Sequence, residues 1–503
     1  MGSTATDRIE SAYAEAERRY VATNPASREA HETAAASLPG GNTRSVLHWG
    51  PYPLCISSAE GYTLRDADGH AYVDLLGEYS AGLYGHSHPA LLAAMAETAR
   101  RGLSYGGPHA AEARLAALVL ERFRGSVERV RFTNSGTEAN LMALAAAKAF
   151  TGRHRGRVVV FEGAYHGGVL VFPFGCAGVF NNNNNNNNNN APGRAATETG
   201  TDTRGPYEAL RALNAPHDFL VAPYNDVASF EALIAPNEAD GVGGAGDGIS
   251  AILIEPMLGS GGGVRATPDF LSHLRRRADE LGALLIFDEV MTSRMHDGGG
   301  IQGALGLRPD LTTLGKYVGG GMSFGAFGGR ADVMALFDPR MPGALPHAGT
   351  FNNNVLTMNV GAAGLEGVFT AETARALHAL GDEVRERINE LSVAAGDDND
   401  DDDDKAAKRG LRVLGCGSIL VFHFTRARAR DIVSPADFKR DEIPRLLDLF
   451  HLEMLREGFY LARRGYVALS IPLLEPEGRR DLDRFVDAVG RFVGRFREVI
   501  ESE

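Results

Sequence analysis

Three short stretches of the chain carry residue types that could do chemistry together. "LTTLGKYVGGG" holds Lys316 directly after a strand-like apolar run. "ALLIFDEV" places Asp288 near the end of a second apolar run, and "NSGTEAN" opens a helical pattern with Ser135, Gly136 and Thr137. A lysine beside apolar strand ends and cationic neighbours loses its proton more readily, and it then becomes a nucleophile that forms Schiff bases.

The other two stretches offer complementary groups. A carboxylate at the end of a buried strand is unfavourable unless it is paired, and a protonated heteroaromatic nitrogen is a suitable partner for Asp288. Backbone N–H groups near Gly136, two hydroxyls and a helix N-terminus suit a phosphate. The ordinary alternatives are a helix cap at Ser135, a loop-capping Asp288 and a lysine that reaches the surface. Together, the three groups predict a pyridoxal phosphate pocket.

The elements that must position these groups follow from hydrophobic periodicity. In an open parallel sheet, ligands bind beyond the carboxyl ends of the strands, so one crevice can collect all three stretches. Apolar runs that alternate with helices predict an α/β fold, with a mostly parallel sheet covered by helices. The predicted strands are 130–134, 157–163, 218–225, 250–257, 283–290 and 310–316, and the helices between them include 137–150 and 268–281.

The pattern also predicts the domain organisation. An N-terminal helical segment covers residues 1–60, a large cofactor-binding domain covers 61–345, and a smaller C-terminal α+β domain covers 346–503. An insertion at about 177–205 contains a run of ten asparagines and is expected to be disordered; self-association is the alternative. The acidic segment 396–405 is expected to be a solvated loop, with metal binding a remote alternative.

Composition excludes several classes of protein. The chain has 503 residues and a net charge of -13, without a basic patch, so we expect no nucleic-acid partner. Its three cysteines are far apart and form no metal motif, which favours a reducing compartment. No apolar stretch is long enough to span a bilayer, and the N-terminus lacks the apolar core of a secretory signal. We therefore expect a cytoplasmic enzyme with neither a membrane nor a metal site.

Five motifs taken in order carry a specific resemblance. "NSGTEANLMALAAAKAFTGR", "YHGG", "FDEVMTSR", "TTLGKYVGGGMSFGAFGGR" and "GTFNNN" resemble the class III (ω-type) aminotransferases of fold type I. The similarity covers about residues 8–495, except for the two insertions. It implies that Lys316 is the catalytic Schiff-base lysine and that Asp288 pairs with the pyridinium nitrogen.

The same resemblance implies the remaining cofactor contacts. Ser135, Gly136 and Thr137 match the phosphate loop, and Tyr165 of "YHGG" matches the aromatic residue that stacks on the cofactor ring. Thr350 of "GTFNNN" matches a phosphate ligand that the neighbouring subunit donates. A homodimer with the active site at its interface is therefore implied.

Two branches of the family share these motifs. "LPGGNTRSVLHWGPYPL" and "GEYSAGLYGHSHP" are more similar to the β-amino-acid (β-phenylalanine) aminotransferases than to glutamate-1-semialdehyde 2,1-aminomutase. The first branch implies that Arg44 binds the substrate carboxylate. It also implies that Arg464, next to a second candidate Arg463, binds the carboxylate of a 2-oxo acid acceptor such as 2-oxoglutarate.

Other interpretations stay open at this point. The aminomutase would move the amino group within one substrate, whereas a decarboxylase or racemase would need no oxo acid. A catalytically silent cofactor-binding scaffold would transfer no amino group and would need no oxo acid. Four aromatic residues of the two branch-specific stretches could line the pocket for the substrate side chain or pack in the core: His48, Trp49, Tyr79 and Tyr84. The chain departs from the branch at 174–215, in the segment that follows the turn bearing Tyr165.

Overall fold

The computed structural model describes residues 5–172, 178–180, 214, 216–239, 248–391, 410–425, 432–443 and 445–501. The asparagine run and the acidic loop lie outside these residues. The chain forms two compact units. The first unit contains Met1–Ala93, Gly367–Ile432 and Asp437–Glu503, and the second contains Ala94–Glu366 and Val433–Ala436. The units change over after residues 93 and 366, and the domain boundaries inferred from sequence, after residues 60 and 345, stay a prediction.

The described residues contain the following strands and α-helices. The strands are β1 (Ile56–Glu60), β2 (Thr63–Asp66), β3 (Ala71–Asp74), β4 (Arg129–Thr133), β5 (Arg157–Phe161), β6 (Gly178–Phe180), β7 (Phe219–Ala222), β8 (Ile249–Ile254), β9 (Leu284–Asp288), β10 (Leu311–Gly315), β11 (Gly325–Gly329), β12 (Gly410–Cys416), β13 (Ile419–Thr425), β14 (Phe459–Tyr460) and β15 (Tyr466–Ala468). The α-helices are Ala5–Thr23, Pro25–Ala35, Pro89–Arg101, Ala110–Arg122, Gly136–Thr151, Val227–Ala239, Pro268–Leu281, Gly300–Leu305, Ala331–Met334, Val355–Gly367, Ala371–Glu390, Pro435–Arg440, Leu446–Arg456, Pro476–Arg495 and Arg497–Glu501.

The second unit is built on an eight-stranded sheet with the order β4-β11-β10-β9-β8-β5-β7-β6. The pairs from β10 to β7 are parallel, whereas β11 runs antiparallel to both of its neighbours and β6 runs antiparallel to β7. Every residue of the strands β7, β8, β9, β10 and β11 is buried. Helix-covered parallel strands are apolar along their whole length for this reason. The predicted α/β class with a mostly parallel sheet is confirmed.

The ends of these strands place the candidate residues at one edge of the sheet. β9 ends at Asp288, β10 ends at Gly315 immediately before Lys316, and β4 ends at Thr133 before the helix that starts at Gly136. Gly325, the first residue of β11, pairs with Thr133 on one side and with Gly315 on the other. The carboxyl ends of β4 and β10 are therefore level with each other.

The first unit contains two smaller sheets, with the orders β1-β2-β3-β14 and β12-β13-β15. The hairpin predicted at Asp68-Gly69 is present, because β2 and β3 pair antiparallel with Leu64 opposite Tyr72. Aromatic rings form the core beside the second sheet, with neighbouring centroids 5.1 to 5.9 Å apart: Phe422, Phe424, Phe450, Phe485 and Phe492. Among the described helices, none is both long enough and apolar enough to cross a bilayer.

Candidate active site

Asp288 is a buried carboxylate that three donors hold in place. The side chain is 4% exposed at the end of β9. Its Oδ2 accepts a hydrogen bond from Asn140 Nδ2 at 2.7 Å and lies 2.8 Å from His166 Nδ1, which donates when protonated. Its Oδ1 accepts from the backbone N–H of Val290 at 3.0 Å. These bonds offset the unfavourable burial of a carboxylate and fix its orientation at the edge of the sheet.

Asn140 connects Asp288 to the elements around it. The residue lies one helical turn after Gly136, on the same face of the helix. Its Nδ2 also donates to the carbonyl of His166 at 3.1 Å, and its Oδ1 accepts from Thr313 Oγ1 at 2.7 Å. One buried amide therefore ties the helix, β9, β10 and the "YHGG" turn together. This role of Asn140 was not predicted from sequence, although the residue stands within the "NSGTEAN" motif.

The start of the helix Gly136–Thr151 combines a cap with an exposed set of N–H groups. Ser135 Oγ accepts from the N–H of Glu138 at 3.1 Å, and Glu138 Oε2 accepts from the N–H of Asn134 at 2.9 Å. The helix-cap alternative for Ser135 is therefore realised. It is compatible with an anion site, because the N–H groups of Gly136 and Thr137 also belong to the first turn, where helices lack internal partners.

Val290 is the common neighbour of the three predicted groups. A Cβ atom at Gly136 would lie 2.8 Å from Val290 Cγ2, and one at Gly315 would lie 3.1 Å from Val290 Cγ1. Gly315 directly precedes Lys316, and Val290 donates its N–H to Asp288. The structure therefore brings the helix start, the Asp288 strand end and the backbone beside Lys316 together around one side chain, with glycine at both contact points.

Lys316 begins a short 3-10 turn, Lys316–Gly319, with a left-handed backbone at φ +57°. Such a conformation is uncommon for a residue other than glycine and is found preferentially at functional sites. A Cβ atom at Gly319 would lie 2.3 Å from Phe324 Cβ, and one at Gly320 would lie 2.5 Å from Val360 Cγ1. The glycines after Lys316 therefore allow the turn to pack closely against its neighbours.

Tyr165 presents its ring to the surface from a firmly held backbone. The residue is 50% exposed, and its N–H donates to Glu255 Oε2 at 2.8 Å. Two residues on, Gly167 has φ +113°, and a Cβ atom there would lie 2.3 Å from Thr137 Oγ1. The turn is thus fixed to the start of the helix, which leaves the exposed face of Tyr165 available for stacking on a flat ligand.

Glu255 is a buried acid that is not among the site residues predicted from sequence. It is 6% exposed at the end of β8, and its Oε1 accepts from the N–H of Gly259 at 3.1 Å. Burial raises the pKa of Glu255 to about 7, while His166 lowers it and the charge of Asp288 raises it. Its position after the apolar run "SAILI" is the same signal that identified Asp288.

Replacing Glu255 with glutamine is expected to change how the stability of the cofactor-free protein depends on pH. Because the folded-state pKa of about 7 exceeds the usual 4.5, the folded protein binds more protons than the unfolded chain between these values. The stabilising contribution of Glu255 is complete below pH 4.5 and is lost as the pH rises through about 7. The wild type should therefore lose up to about 3 kcal/mol relative to the variant over this range.

Denaturant unfolding of both proteins across this pH range would measure the effect. A difference in unfolding free energy that stays constant with pH would contradict it.

The two predicted carboxylate-binding arginines lie in the first unit, and both contact the ring of one tyrosine. Arg44 pairs with Glu78, and its guanidinium carbon lies 5.6 Å from the ring centre of Tyr79. The guanidinium carbon of Arg464 lies 5.3 Å from the ring centres of both Tyr79 and Tyr466. The first unit thus brings Arg44 and Arg464 together around the Tyr79 ring.

The neighbouring candidates differ in their surroundings. Arg463 pairs with Asp448 at 2.7 Å, so its charge is already matched. Trp49 and Tyr84 are buried, which fits the core-packing alternative, whereas His48 is exposed. His48, Tyr79, Arg463 and Arg464 help to line a cleft of about 610 Å³ in this unit.

Thr350 is exposed on the second unit. The adjoining Phe351 is 61% exposed, and Asn352 Oδ1 accepts from Asn134 Nδ2 at 2.9 Å, next to the start of the Gly136–Thr151 helix. The structure therefore places the "GTFNNN" loop beside the helix start in the same chain and leaves Thr350 accessible.

The fold and this set of residues define a pyridoxal-phosphate-dependent enzyme of fold type I. The chain belongs to the class III aminotransferase family, whose family model matches residues 47–398.

Individual relatives extend the match over most of the chain. The β-phenylalanine transaminase of Variovorax paradoxus is 45% identical over 486 residues, which are 97% of this chain and 96% of the relative. The crystal structure of a β-phenylalanine aminotransferase from Variovorax paradoxus superimposes with a TM-score of 0.80 at 44% identity, covering 97% of this chain and 98% of that one. A glutamate-1-semialdehyde 2,1-aminomutase of Sorangium cellulosum is 36% identical over 471 residues, or 92% of this chain and 95% of the relative.

Pyridoxal phosphate is the cofactor of this enzyme. The described residues fit it, because a fixed buried carboxylate, a glycine-containing helix start and the backbone next to Lys316 meet around Val290. An exposed tyrosine ring stands on a turn that is joined to the same carboxylate through His166.

Proposed function

We propose that this class III transaminase moves the amino group of an aromatic β-amino acid, of the β-phenylalanine type, to a 2-oxo acid such as 2-oxoglutarate. The placement of both Arg44 and Arg464 within 5.6 Å of the centre of the Tyr79 ring carries the proposal. A guanidinium binds a carboxylate through two parallel hydrogen bonds. Two such groups around one aromatic ring suit an enzyme that handles an aromatic amino acid and an oxo acid with a second carboxylate.

The proposed roles follow from the chemistry of each residue. Lys316 takes the proton from the amine-bearing carbon of the donor, and its ammonium group would then deliver that proton to C4′ of the cofactor within the same half of the transfer. Asp288, held by Asn140 and His166, keeps a ring nitrogen protonated. The cofactor, when bound, supplies the electron sink that makes the donor carbon acidic.

The other residues bind and orient. Ser135, Gly136 and Thr137 hold the phosphate, and Tyr165 stacks on the ring. Arg44 binds the donor carboxylate, and Arg464 binds the distal carboxylate of the acceptor.

We also propose a homodimer in which Thr350 completes the phosphate site of the partner. The exposure of Thr350, together with Phe351 at 61% and Met341 at 56%, supports this arrangement. Large apolar side chains that are exposed at the surface are suited to burial against a second protein chain.

The near-ultraviolet and visible absorption of the cofactor tests the function directly. Racemic β-phenylalanine without an oxo acid should remove the absorption band of the lysine-bound cofactor, and 2-oxoglutarate should restore it. Arg464→Gln should leave the first response intact and raise the KM for 2-oxoglutarate by roughly 10- to 100-fold, because a charge-assisted hydrogen-bond pair is lost.

Arg463→Gln is the matched control, since the charge of Arg463 is already paired with Asp448. If the absorption band of the lysine-bound cofactor does not change on addition of β-phenylalanine but changes on addition of glutamate 1-semialdehyde, the aminomutase would be favoured instead. That enzyme needs no external acceptor, so Arg464→Gln should leave its turnover of glutamate 1-semialdehyde unchanged.

A further inference from the structure

Arg44, proposed to bind the carboxylate of the donor, already holds a carboxylate of its own chain. Its Nη1 donates to Glu78 Oε1. Both side chains are about half exposed, at 46% for Arg44 and 54% for Glu78. Exposed ion pairs of this kind shift an equilibrium by no more than about fivefold. The pair is therefore weak enough for an incoming carboxylate to exchange with it.

The position of Glu78 is built into a strained turn. Four consecutive residues, Gly77 to Ser80, have left-handed backbones with φ of +52°, +48°, +52° and +75°. Residues other than glycine keep such a conformation only where the surrounding structure enforces it. Here Asp74 Oδ1 accepts the N–H groups of Leu76 at 2.9 Å and of Gly77 at 3.0 Å.

Packing fixes the turn from the other side. A Cβ atom at Gly77 would lie 2.3 Å from the carbonyl oxygen of Ala468. The backbone of Glu78 is thus held in place, so exchange at Arg44 requires only that the Glu78 side chain rotates.

The neighbouring Tyr79 does not supply the negative charge. Burial raises the pKa of the Tyr79 hydroxyl, although Arg464 and Arg44 oppose the shift. The phenol therefore stays neutral at physiological pH, and Tyr79 meets Arg44 only through its ring face. Glu78 is the acidic group that the turn delivers to this arginine.

We propose that Glu78 is an intramolecular counter-ion of Arg44 and that the carboxylate of the donor displaces it. The inference rests on the proposed function through the role of Arg44. A donor with a carboxylate replaces one counter-ion with another, whereas an amine without a carboxylate leaves the Arg44–Glu78 pair intact. Because an unpaired guanidinium is unfavourable once water is excluded, Glu78 lets both kinds of amine bind and so reduces the discrimination between them.

The unreactive acid 3-phenylpropanoate, which has the carboxylate of the donor but no amine, tests the exchange by calorimetry on the holoenzyme. Glu78→Gln should lower its Kd by about two- to fivefold. Arg44→Gln should raise the Kd by roughly tenfold or more, and adding Glu78→Gln to that variant should change nothing further, because the two effects share one interaction.

Steady-state kinetics supply a second readout. Glu78→Gln should lower the KM for β-phenylalanine but not for 1-phenylethylamine, which lacks a carboxylate. Glu366→Gln is the control for the change in net charge, since Glu366 forms a comparably exposed pair with Arg114 in the second unit.

Two outcomes separate the inference from the proposed function. If Arg44→Gln weakens 3-phenylpropanoate binding and Glu78→Gln leaves the Kd unchanged, the role of Glu78 is overturned and that of Arg44 stands. If neither substitution changes the Kd, the proposed role of Arg44 is overturned and the inference falls with it.

Discussion

Replacing Lys316 with alanine is expected to abolish transamination, with a loss of roughly 10⁴-fold or more. The lysine stands at the end of β10, and its backbone neighbour Gly315 packs on the same Val290 as the helix start at Gly136. The variant loses both the nucleophilic amine and the base that moves the proton of the donor carbon. Single-turnover measurements with β-phenylalanine would record the loss. The amine form of the cofactor should still bind, because the phosphate and ring-nitrogen contacts remain.

Lys148→Ala is a suitable control, because Lys148 is also a partly exposed lysine of the second unit, on the helix Gly136–Thr151. Its replacement should leave turnover close to that of the wild type. Transamination retained in Lys316→Ala would show that another group moves the proton and would remove the basis of the proposed mechanism.

Asp288→Asn is expected to lower kcat by roughly 10²- to 10³-fold, because the preorganised negative charge near the ring nitrogen is removed. The amide has nearly the same shape, but its NH₂ group would meet one of the donors that now point at the carboxylate, Asn140 Nδ2 or His166 Nδ1. Some loss of stability is therefore expected as well. The kcat and the unfolding midpoint should be measured on the same preparation.

Asp310→Asn separates the two effects. Asp310 is equally buried at 4%, and it pairs with Arg275 at 2.8 Å and with Arg330 at 2.7 Å. Because Arg275 and Arg330 are 19% and 43% exposed, loss of the Asp310 charge should destabilise the protein by about 1–3 kcal/mol while leaving kcat largely unchanged. Equal losses of kcat in the two variants would mean that Asp288 acts only through stability.

Much of the sheet could be predicted from sequence because its central strands are continuous apolar runs. The predicted strand 283–290 is observed as Leu284–Asp288, and the predicted 250–257 as Ile249–Ile254. In both cases the prediction extended past the true end into the loop. Burial on both faces explains the clear signal, whereas the ends depend on hydrogen bonds to neighbouring strands, which the sequence does not display.

β11 was not predicted, since glycine is unfavourable in strands and three of its five residues are glycine. The structure explains the composition. A Cβ atom at Gly325 would lie 2.0 Å from the carbonyl oxygen of Ser135, and one at Gly329 would lie 2.0 Å from that of Asp310. The strand exists because neighbouring backbone leaves room only for hydrogen atoms at these positions.

The candidate site was predictable where a polar residue interrupts or ends an apolar run, as at Asp288 and Lys316. Asn140 and Thr313 were missed because each is an ordinary polar residue in its own segment. Their importance arises from the 2.7 Å hydrogen bond between them, which joins parts of the chain 173 positions apart. Only the folded arrangement reveals such a partner.

The antiparallel strand β11 has a consequence for the loops around the catalytic cleft. It lies between β4 and β10, so Thr133 and Gly315, the two residues paired with Gly325, are separated by two interstrand spacings, about 9 to 10 Å. A parallel strand at this position would end at the same edge and direct a further loop between them. β11 instead begins there, at Gly325, without a side chain. The chain after β4 can therefore cross over the start of β11, and the backbone nitrogen of Gly136 lies only 3.6 Å from the Cβ position of Gly315. The glycine strand thus lets the helix start and the backbone beside Lys316 approach each other at the same edge of the sheet.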